Sequence, residues 1–212
     1  MLVRPAAGGG RVVHVDPERL GAWLDGFAAR HGLTTCAVAA GTVTVTAADG
    51  AIAEVAVPFP PLAGDLVAHA QRQRRIGVLL VRLGGHAAGV FAGSTLVASK
   101  VGSRQVHGRS AAGGQSQQRF ARRRDGQVRV ALAAAAETAV GVLLPAVGGL
   151  DAVVLGGDRT ATTAVLGDRR LAPLLPLVVE PFLDVPDPRL RVLRETPALF
   201  RAVRVHVTDP PA

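Results

Sequence analysis

Hydrophobic and polar positions alternate with two different periods along the chain, and the pattern predicts a mixture of helices and strands. Apolar residues from Leu20 to Phe27 recur at helical spacing, after an Asp-Pro-Glu start and before Gly32, which predicts a helix. Further helices are predicted at 62–72, 115–124, 128–144, 159–166 and 188–195. Period-two or β-rich runs predict strands at 35–40, 42–46, 52–57, 77–82, 87–92, 95–101, 152–155, 177–179 and 203–207. Interleaved elements of this kind indicate a mixed α+β fold, with a mixed β-sheet flanked by helices.

Length and composition indicate one folded domain. The chain has 212 residues, of which 49% are hydrophobic and 19% charged, so it has enough apolar side chains for a core. No break in composition and no internal repeat marks a second domain. We therefore expect a flexible N-terminal tail over residues 1–10 and a single domain over residues 11–208.

The residue types present exclude several kinds of site. One cysteine, Cys36, excludes an intrachain disulfide and every multi-cysteine metal site. Its apolar strand predicts an inert thiol in the core. The six histidines have no metal-ligand spacing, so we expect no metal and no cofactor.

The apolar runs of the sequence are used to predict the cellular location of the protein. The first ten residues lack the apolar stretch of a signal peptide. The runs between Arg82 and Lys100 and between Arg129 and Asp151 are interrupted by polar residues, glycines or a proline, so neither predicts a membrane span. We expect a cytoplasmic protein with no membrane partner.

Positive charge is concentrated in one part of the chain. The 24 Lys and Arg and the 16 Asp and Glu give a net charge of +8. Eight basic residues and one acidic residue lie between Lys100 and Arg129, so this basic window carries +7 and the rest of the chain +1. A solvated helix face is the ordinary explanation of a charged block. A block of this density favours a polyanionic partner, because each neutralised phosphate releases condensed counterions.

The basic window contains a long segment without apolar periodicity. From Gly102 to Gly114 the residues are mainly glycine, serine, arginine and histidine, which predicts a long exposed loop. The loop ends in Gly113-Gly114-Gln115, and Gln115 begins the next predicted helix. Gly-Gly-Gln is short enough to occur by chance, but its position in a basic loop at a helix start favours a functional role.

A second chemistry in this loop stays open. Residues Gly108 to Gly113 approach a nucleophile elbow but have one residue too many before the second glycine. A Ser110–His107 dyad would require the two side chains to meet in space, as in a serine hydrolase. Loop shaping and RNA contact are the other roles for these two residues.

The stretch from His107 to Arg124 carries a family resemblance. Its sequence, His-Gly-Arg-Ser-Ala-Ala-Gly-Gly-Gln-Ser-Gln-Gln-Arg-Phe-Ala-Arg-Arg-Arg, resembles the actinobacterial Vms-like release factors, which are peptidyl-tRNA hydrolases of the VLRF type. These proteins are similar in turn to the catalytic middle domain of the eukaryotic and archaeal release factor. The resemblance implies a release-factor-like α/β domain with a long exposed Gly-Gly-Gln loop. It also implies hydrolysis of the ester bond of peptidyl-tRNA on stalled or obstructed large ribosomal subunits.

Gly-Gly-Gln suits that reaction physically. A glutamine amide does not titrate, so Gln115 is not a general base; it can position water, or its backbone N–H can bond oxygen that develops negative charge. Gly113 and Gly114 allow the backbone to approach RNA closely. At a helix start, free N–H groups and the positive end of the helix dipole face phosphate or oxyanion. The resemblance implies that the general base comes from the RNA, at the 2′-hydroxyl of the terminal adenosine.

Basic and polar residues around the triplet are the candidate RNA contacts, because arginine binds phosphate in bidentate fashion. The set is Lys100, Arg104, His107, Arg109, Ser110, Arg119, Arg122, Arg123 and Arg124. The implied partners are peptidyl-tRNA, ribosomal RNA and the peptidyl transferase centre of the large subunit. The alternative is a non-catalytic ribosome- or RNA-binding protein that docks through residues 100–129. We expect a monomer whose activity does not depend on stop codons, since no codon-reading element is evident.

Overall fold

The computed structural model describes residues 2–5, 9–103 and 115–210, without the side chains of residues 2, 3 and 115–123. The strands are β1 (Leu2–Pro5), β2 (Arg11–Val15), β3 (Thr34–Ala39), β4 (Thr42–Ala47), β5 (Ile52–Ala56), β6 (Arg75–Arg82), β7 (Gly85–Ala92), β8 (Thr95–Ser103), β9 (Ala152–Gly157), β10 (Val178–Leu183) and β11 (Val203–Thr208). The α-helices are α1 (Leu20–His31), α2 (Leu66–Gln71), α3 (Gln115–Leu143), α4 (Arg159–Leu166), α5 (Leu190–Glu195) and α6 (Pro197–Phe200). Shorter 3₁₀ segments span Pro17–Arg19, Leu144–Gly149 and Arg169–Leu177. This content confirms the mixed α+β class.

Contacts divide the chain into two compact units. The terminal unit combines Met1–Arg72 with Arg201–Ala212, and the central unit is Gln73–Phe200. The terminal unit has seven basic and seven acidic residues, so the whole net charge of +8 belongs to the central unit. The bounds of the single domain expected over residues 11–208 stay a prediction.

The terminal unit is a six-stranded antiparallel sheet with helices on one face. Its strand order is β1-β2-β11-β5-β4-β3. Alternate residues of β4, β5 and β11 are buried, as the period-two pattern predicts. Helices α1 and α2 pack Leu20, Phe27 and Leu66 into the same core. Trp23 is half-buried and stacks on Phe27 with 5.8 Å between ring centroids.

The central unit is a five-stranded mixed sheet with helices on both faces. Its order is β10-β9-β6-β7-β8, with β10, β9 and β6 parallel and with β7 and β8 antiparallel to their neighbours. The predicted β6–β8 meander is therefore confirmed. Helices α3 and α4 share one core with residues such as Val81 and Val90. On the other face Leu193 of α5 approaches Gly89, and Phe200 of α6 contacts Phe91 at 5.6 Å between centroids.

Helix α3 is one continuous helix of 29 residues, where the sequence predicted two helices at 115–124 and 128–144. Gly126 lowers the local helix propensity by about 1 kcal/mol relative to alanine. That cost does not end the helix, because the C-terminal half is held by burial: Ala135 and Ala139 are fully covered in the core of the central unit. Tertiary packing outweighs the local propensity here.

The same helix also has the length and composition of a membrane span. Residues Arg124–Gly149 include a window with a mean hydropathy of 1.9, of which 33% is buried. Its alanine face lies against the central sheet, which is the packing of a core helix. The expected absence of a membrane partner stays a prediction.

The structure corrects two expected boundaries. Residues Leu2–Pro5, assigned to the flexible tail, form β1 and pair with β2, whose outer main-chain groups would otherwise lack a strand partner. The helix predicted at 62–72 begins only at Leu66, because the side chain of Asp65 accepts hydrogen bonds from the backbone N–H groups of the first turn at 2.9 and 3.0 Å.

Cys36 lies elsewhere than expected. It is exposed on β3, not buried in the core. Strand β3 is the edge of its sheet, and α1 and α2 do not reach over it. The alternation of the sequence therefore predicted the strand correctly, but not its position at the edge of the sheet.

An ion-pair cluster joins α3 to the 3₁₀ segment Arg169–Leu177. The Arg170 guanidinium contacts Glu137 at 2.6 Å and Asp168 at 2.7 Å. Hydrogen bonds from the side chain and backbone of Arg170 lower the pKa of Asp168 from 3.8 to about 2. The cluster fixes the position of this segment against the helix.

We expect Asp168→Asn to lower the melting temperature slightly at pH 7 and the difference to vanish near pH 2. A depressed folded-state pKa contributes stability above the ordinary carboxyl pKa, and this stability is lost as the pH falls from about 4 to about 2. Thermal unfolding between pH 7 and pH 2 measures it. Asp184→Asn is the control, because Asp184 is fully exposed and its contact with Arg82 is long, at 3.4 Å. A difference that did not change with pH would contradict the prediction.

We also expect the Cys36 thiol to react in the folded protein. Because the residue is exposed on an edge strand, a thiol-specific reagent should modify one group per chain without denaturant. Mass spectrometry of the labelled protein gives the stoichiometry, and Cys36→Ser gives the blank. A thiol that reacts only after unfolding would show that the site is covered in solution.

Candidate nucleic-acid interface

The structure describes only part of the predicted site. Outside the described residues lie Arg104, His107, Arg109, Ser110, Gly113 and Gly114. A backbone position in α3, without a side chain, is described for Gln115, Arg119, Arg122 and Arg123. Lys100 and Arg124 are described completely. The predicted Ser110–His107 dyad therefore has no geometry here, and it stays an alternative.

Gln115 is the first residue of α3, as the sequence predicted. The first buried side chain among those described in this helix is Ala131. Sixteen residues precede it, which corresponds to about 24 Å of helix. Described side chains from 124 to 130 are exposed or half-buried. The Gly-Gly-Gln triplet thus leads directly into a helix whose N-terminal half, residues 115–130, is anchored by its buried C-terminal half.

The described basic residues border this N-terminal half. Lys100 is exposed on β8, and its cross-strand partner Ala88 belongs to the core that α3 covers, so Lys100 lies on the α3 side of the sheet. Arg129 is exposed on α3. Arg124 is half-buried, and its Nε is buried without a hydrogen-bond partner among the described residues. The strand before residues 104–114 and the helix after them therefore both carry cationic side chains.

One polar contact lies at the base of this site, and sequence reasoning missed it. His86 at the start of β7 is 5% exposed and pairs across the ladder with Gly102 of β8. Its Nε2 shares a hydrogen bond of 3.1 Å with Oγ1 of Thr138, which is 3% exposed on α3. The available signal was a single histidine within the otherwise apolar strand Gly-His-Ala-Ala-Gly-Val-Phe-Ala.

A cavity in the described part of the chain lies away from the predicted site, and no metal cluster occurs among the described residues. A cavity of about 300 Å³ lies between α4 and β10, where Arg159 stacks over Phe182 at 4.2 Å. None of the residues predicted for the site lines it. Residues 2–5, 9–103 and 115–210 contain no cluster of three or more potential metal ligands. The described basic side chains near the site are Lys100 and Arg129, which are exposed, and Arg124, which is half-buried, and none of them lines this cavity.

Comparison with solved structures finds similar chains among archaeal proteins. An archaeal translation termination factor, aRF1, is 18% identical; the match covers 74% of this chain and 51% of that chain, with a TM-score of 0.47. A second archaeal protein is 17% identical over the same shares, with a TM-score of 0.43. The chain thus spans about half the length of these two proteins. No curated protein matches the sequence.

Comparison with protein families gives a match over most of the chain. The profile described as Actinobacteria/chloroflexi VLRF1 release factor matches residues 74–206. The matched part contains β6–β10, α3–α6 and the whole basic window. It therefore includes Gly113-Gly114-Gln115 and every candidate RNA contact. This chain therefore belongs to the VLRF1 release-factor family of actinobacteria and chloroflexi.

Proposed function

We propose that the protein hydrolyses the ester bond of ribosome-bound peptidyl-tRNA and so releases nascent chains from stalled or obstructed large ribosomal subunits. The observation that carries the proposal is the position of Gly113-Gly114-Gln115, which ends at the first residue of α3. In a release-factor family this triplet is the one feature of the chain that fits catalysis better than docking.

The proposed reaction is an ester hydrolysis with water as the nucleophile. The water oxygen bonds to the peptide carbonyl carbon, the bond from that carbon to the ribose oxygen breaks, and a proton passes to the leaving ribose oxygen. Gln115 positions the water through its side chain, or donates its backbone N–H to the carbonyl oxygen as negative charge develops there. Its position at the helix N-terminus supports the second role, because the N–H groups of the first turn have no partner inside the helix.

Binding is assigned to the basic window. Its charge of +7 attracts RNA phosphates, and Gln115 precedes Ala131, the first buried side chain among those described in α3, by about 24 Å of helix. A ribosome-bound ester is surrounded by RNA, so the catalytic group has to be carried on a thin extension of the fold. A cytoplasmic protein without cofactor, bound to the large subunit as a monomer, is part of the same proposal.

We expect Gly113→Ala and Gly114→Ala to lower hydrolysis at saturating protein by about 100-fold or more, since a misplaced donor costs about that factor. Ribosome binding should change less than twofold, because a methyl group removes no charge. Gln115→Ala should be impaired less completely, since its backbone N–H remains. Release of labelled tRNA from 50S subunits measures the rate, and cosedimentation measures binding. Normal hydrolysis by both glycine variants would contradict the catalytic role of the triplet, whereas no release by the wild-type protein under any condition would favour the non-catalytic binding protein.

We expect the triple substitution of Arg122, Arg123 and Arg124 by glutamine to weaken binding first. Three lost phosphate contacts should flatten the slope of log K against log salt by roughly 2 to 3. Saturating protein should restore most of the rate. The matched control replaces Arg189, Arg191 and Arg194 by glutamine. These residues are exposed in and beside α5, and their substitution removes the same charge. Equal slopes for the two triple variants would show that the basic window does not bind RNA.

We expect hydrolysis to be independent of the codon in the A site. Isolated large subunits with peptidyl-tRNA should be substrates, and intact ribosomes with a stop codon should react no faster than those with a sense codon. Single-turnover release on the three complexes measures this. Release that required a stop codon would contradict the rescue role and point to ordinary termination.

A further inference from the structure

His86 packs directly on the main chain of β8, the strand that precedes residues 104–114. A Cβ atom added to Gly102 would lie 2.4 Å from Nε2 and 2.7 Å from Cε1 of the His86 ring. Both distances are far below a van der Waals contact, so the ring occupies the space of a side chain at position 102. Gly102 precedes the last residue of β8, and residues 104–114 follow.

The same ring also contacts α3, the helix that follows residues 104–114. The hydrogen bond between His86 Nε2 and Thr138 Oγ1 joins two side chains that are each at least 95% buried. Breaking it would remove a buried hydrogen bond between two side chains, which is costly in a core. One side chain therefore contacts both Gly102 and Thr138. Every residue of the candidate site except Lys100 lies between these two positions.

Helix geometry makes this contact matter at a distance. Gln115 lies 23 residues before Thr138, which is about 34 Å along the helix axis. A tilt of about 5° at Thr138 would displace Gln115 by about 3 Å over that length. Misplacement of a reacting group by about 1 Å can lower a rate by about 100-fold. A loosened base therefore affects the catalytic step more than the binding of distributed phosphates.

We propose that His86 is a positioning residue: through its contacts with Gly102 and Thr138 it clamps β8, the strand before residues 104–114, to the buried half of α3 and so sets the direction of that helix. The proposal rests on the proposed peptidyl-tRNA hydrolase function. The ordinary alternative is a buried histidine that only stabilises the core of the central unit. The two differ in whether loss of the contact changes the rate beyond its effect on stability.

The test compares two substitutions of the same chemistry. Thr138→Val removes the hydroxyl that bonds His86 and keeps the shape of the side chain. Thr162→Val is the matched control, because Thr162 is 1% exposed in the same unit and its hydroxyl bonds the carbonyl of Asp158 at 2.7 Å. His86→Ala and His86→Gln complete the series, since glutamine returns an amide group to the region of Nε2. Melting temperatures of all variants are recorded.

We expect Thr138→Val and His86→Ala to lower the single-turnover rate on 50S–peptidyl-tRNA by about 10-fold or more at saturating protein. Their affinity for the 50S subunit should change less than twofold. Thr162→Val should keep the wild-type rate despite a similar loss of melting temperature. The double variant that combines His86→Ala with Thr138→Val should be no slower than His86→Ala alone. His86→Gln should recover part of the rate. Equal rates for Thr138→Val and Thr162→Val would overturn the clamp.

A distance measurement separates this proposal from the proposed function. Spin labels at Ser99→Cys on β8 and Ser116→Cys on α3, in a Cys36→Ser background, report the direction of the helix. Thr138→Val should broaden or shift their distance distribution, and Thr162→Val should leave it unchanged. If the wild-type protein releases no peptide, the proposed function fails while this measurement still decides the clamp. Unchanged distributions in both variants would overturn it.

Discussion

The burial of one alanine face is the constraint on which this structure depends. Ala135, Ala136 and Ala139 of α3 lie in the core of the central unit, and Leu143 closes that face. Small side chains let the helix backbone approach the sheet closely, and the core holds the helix in a fixed direction. The N-terminal half of the same helix has no buried described side chain before Ala131. The described packing of α3 therefore lies in its C-terminal half, away from Gln115.

The net positive charge is concentrated outside the buried alanine face of α3. The terminal unit is electrically neutral, and the central unit carries +8, of which +7 lies between Lys100 and Arg129. Repulsion within so dense a block opposes folding of the residues that carry it. The neutral alanine face supplies the stability that the charged half does not. One helix thus combines an anchor for the fold with a part of the basic window.

Local patterns predicted the elements well, and contacts between distant elements account for what they missed. The β6–β8 meander and the helix start at Gln115 were predictable, because turn glycines and periodicity act within a few residues. The sequence predicted two helices at 115–124 and 128–144, yet burial many residues away keeps α3 continuous through Gly126. Cys36 was placed in the core, since alternation reveals a strand but not whether another element covers it. His86 was missed for the same reason: its partners Gly102 and Thr138 are distant in the sequence.

The proposed site and the buried residues that support it obey different physical requirements. In the proposed function Gly113, Gly114 and Gln115 approach RNA, so little other protein can pack around them. Precise placement of the triplet then has to come from the buried C-terminal half of α3, where side chains are packed and water is excluded. A hydrogen-bonded helix transmits orientation over tens of ångströms, because its backbone bonds resist bending. Substitutions at the surface of α3 should therefore act on binding, whereas substitutions at its buried base should act on the rate.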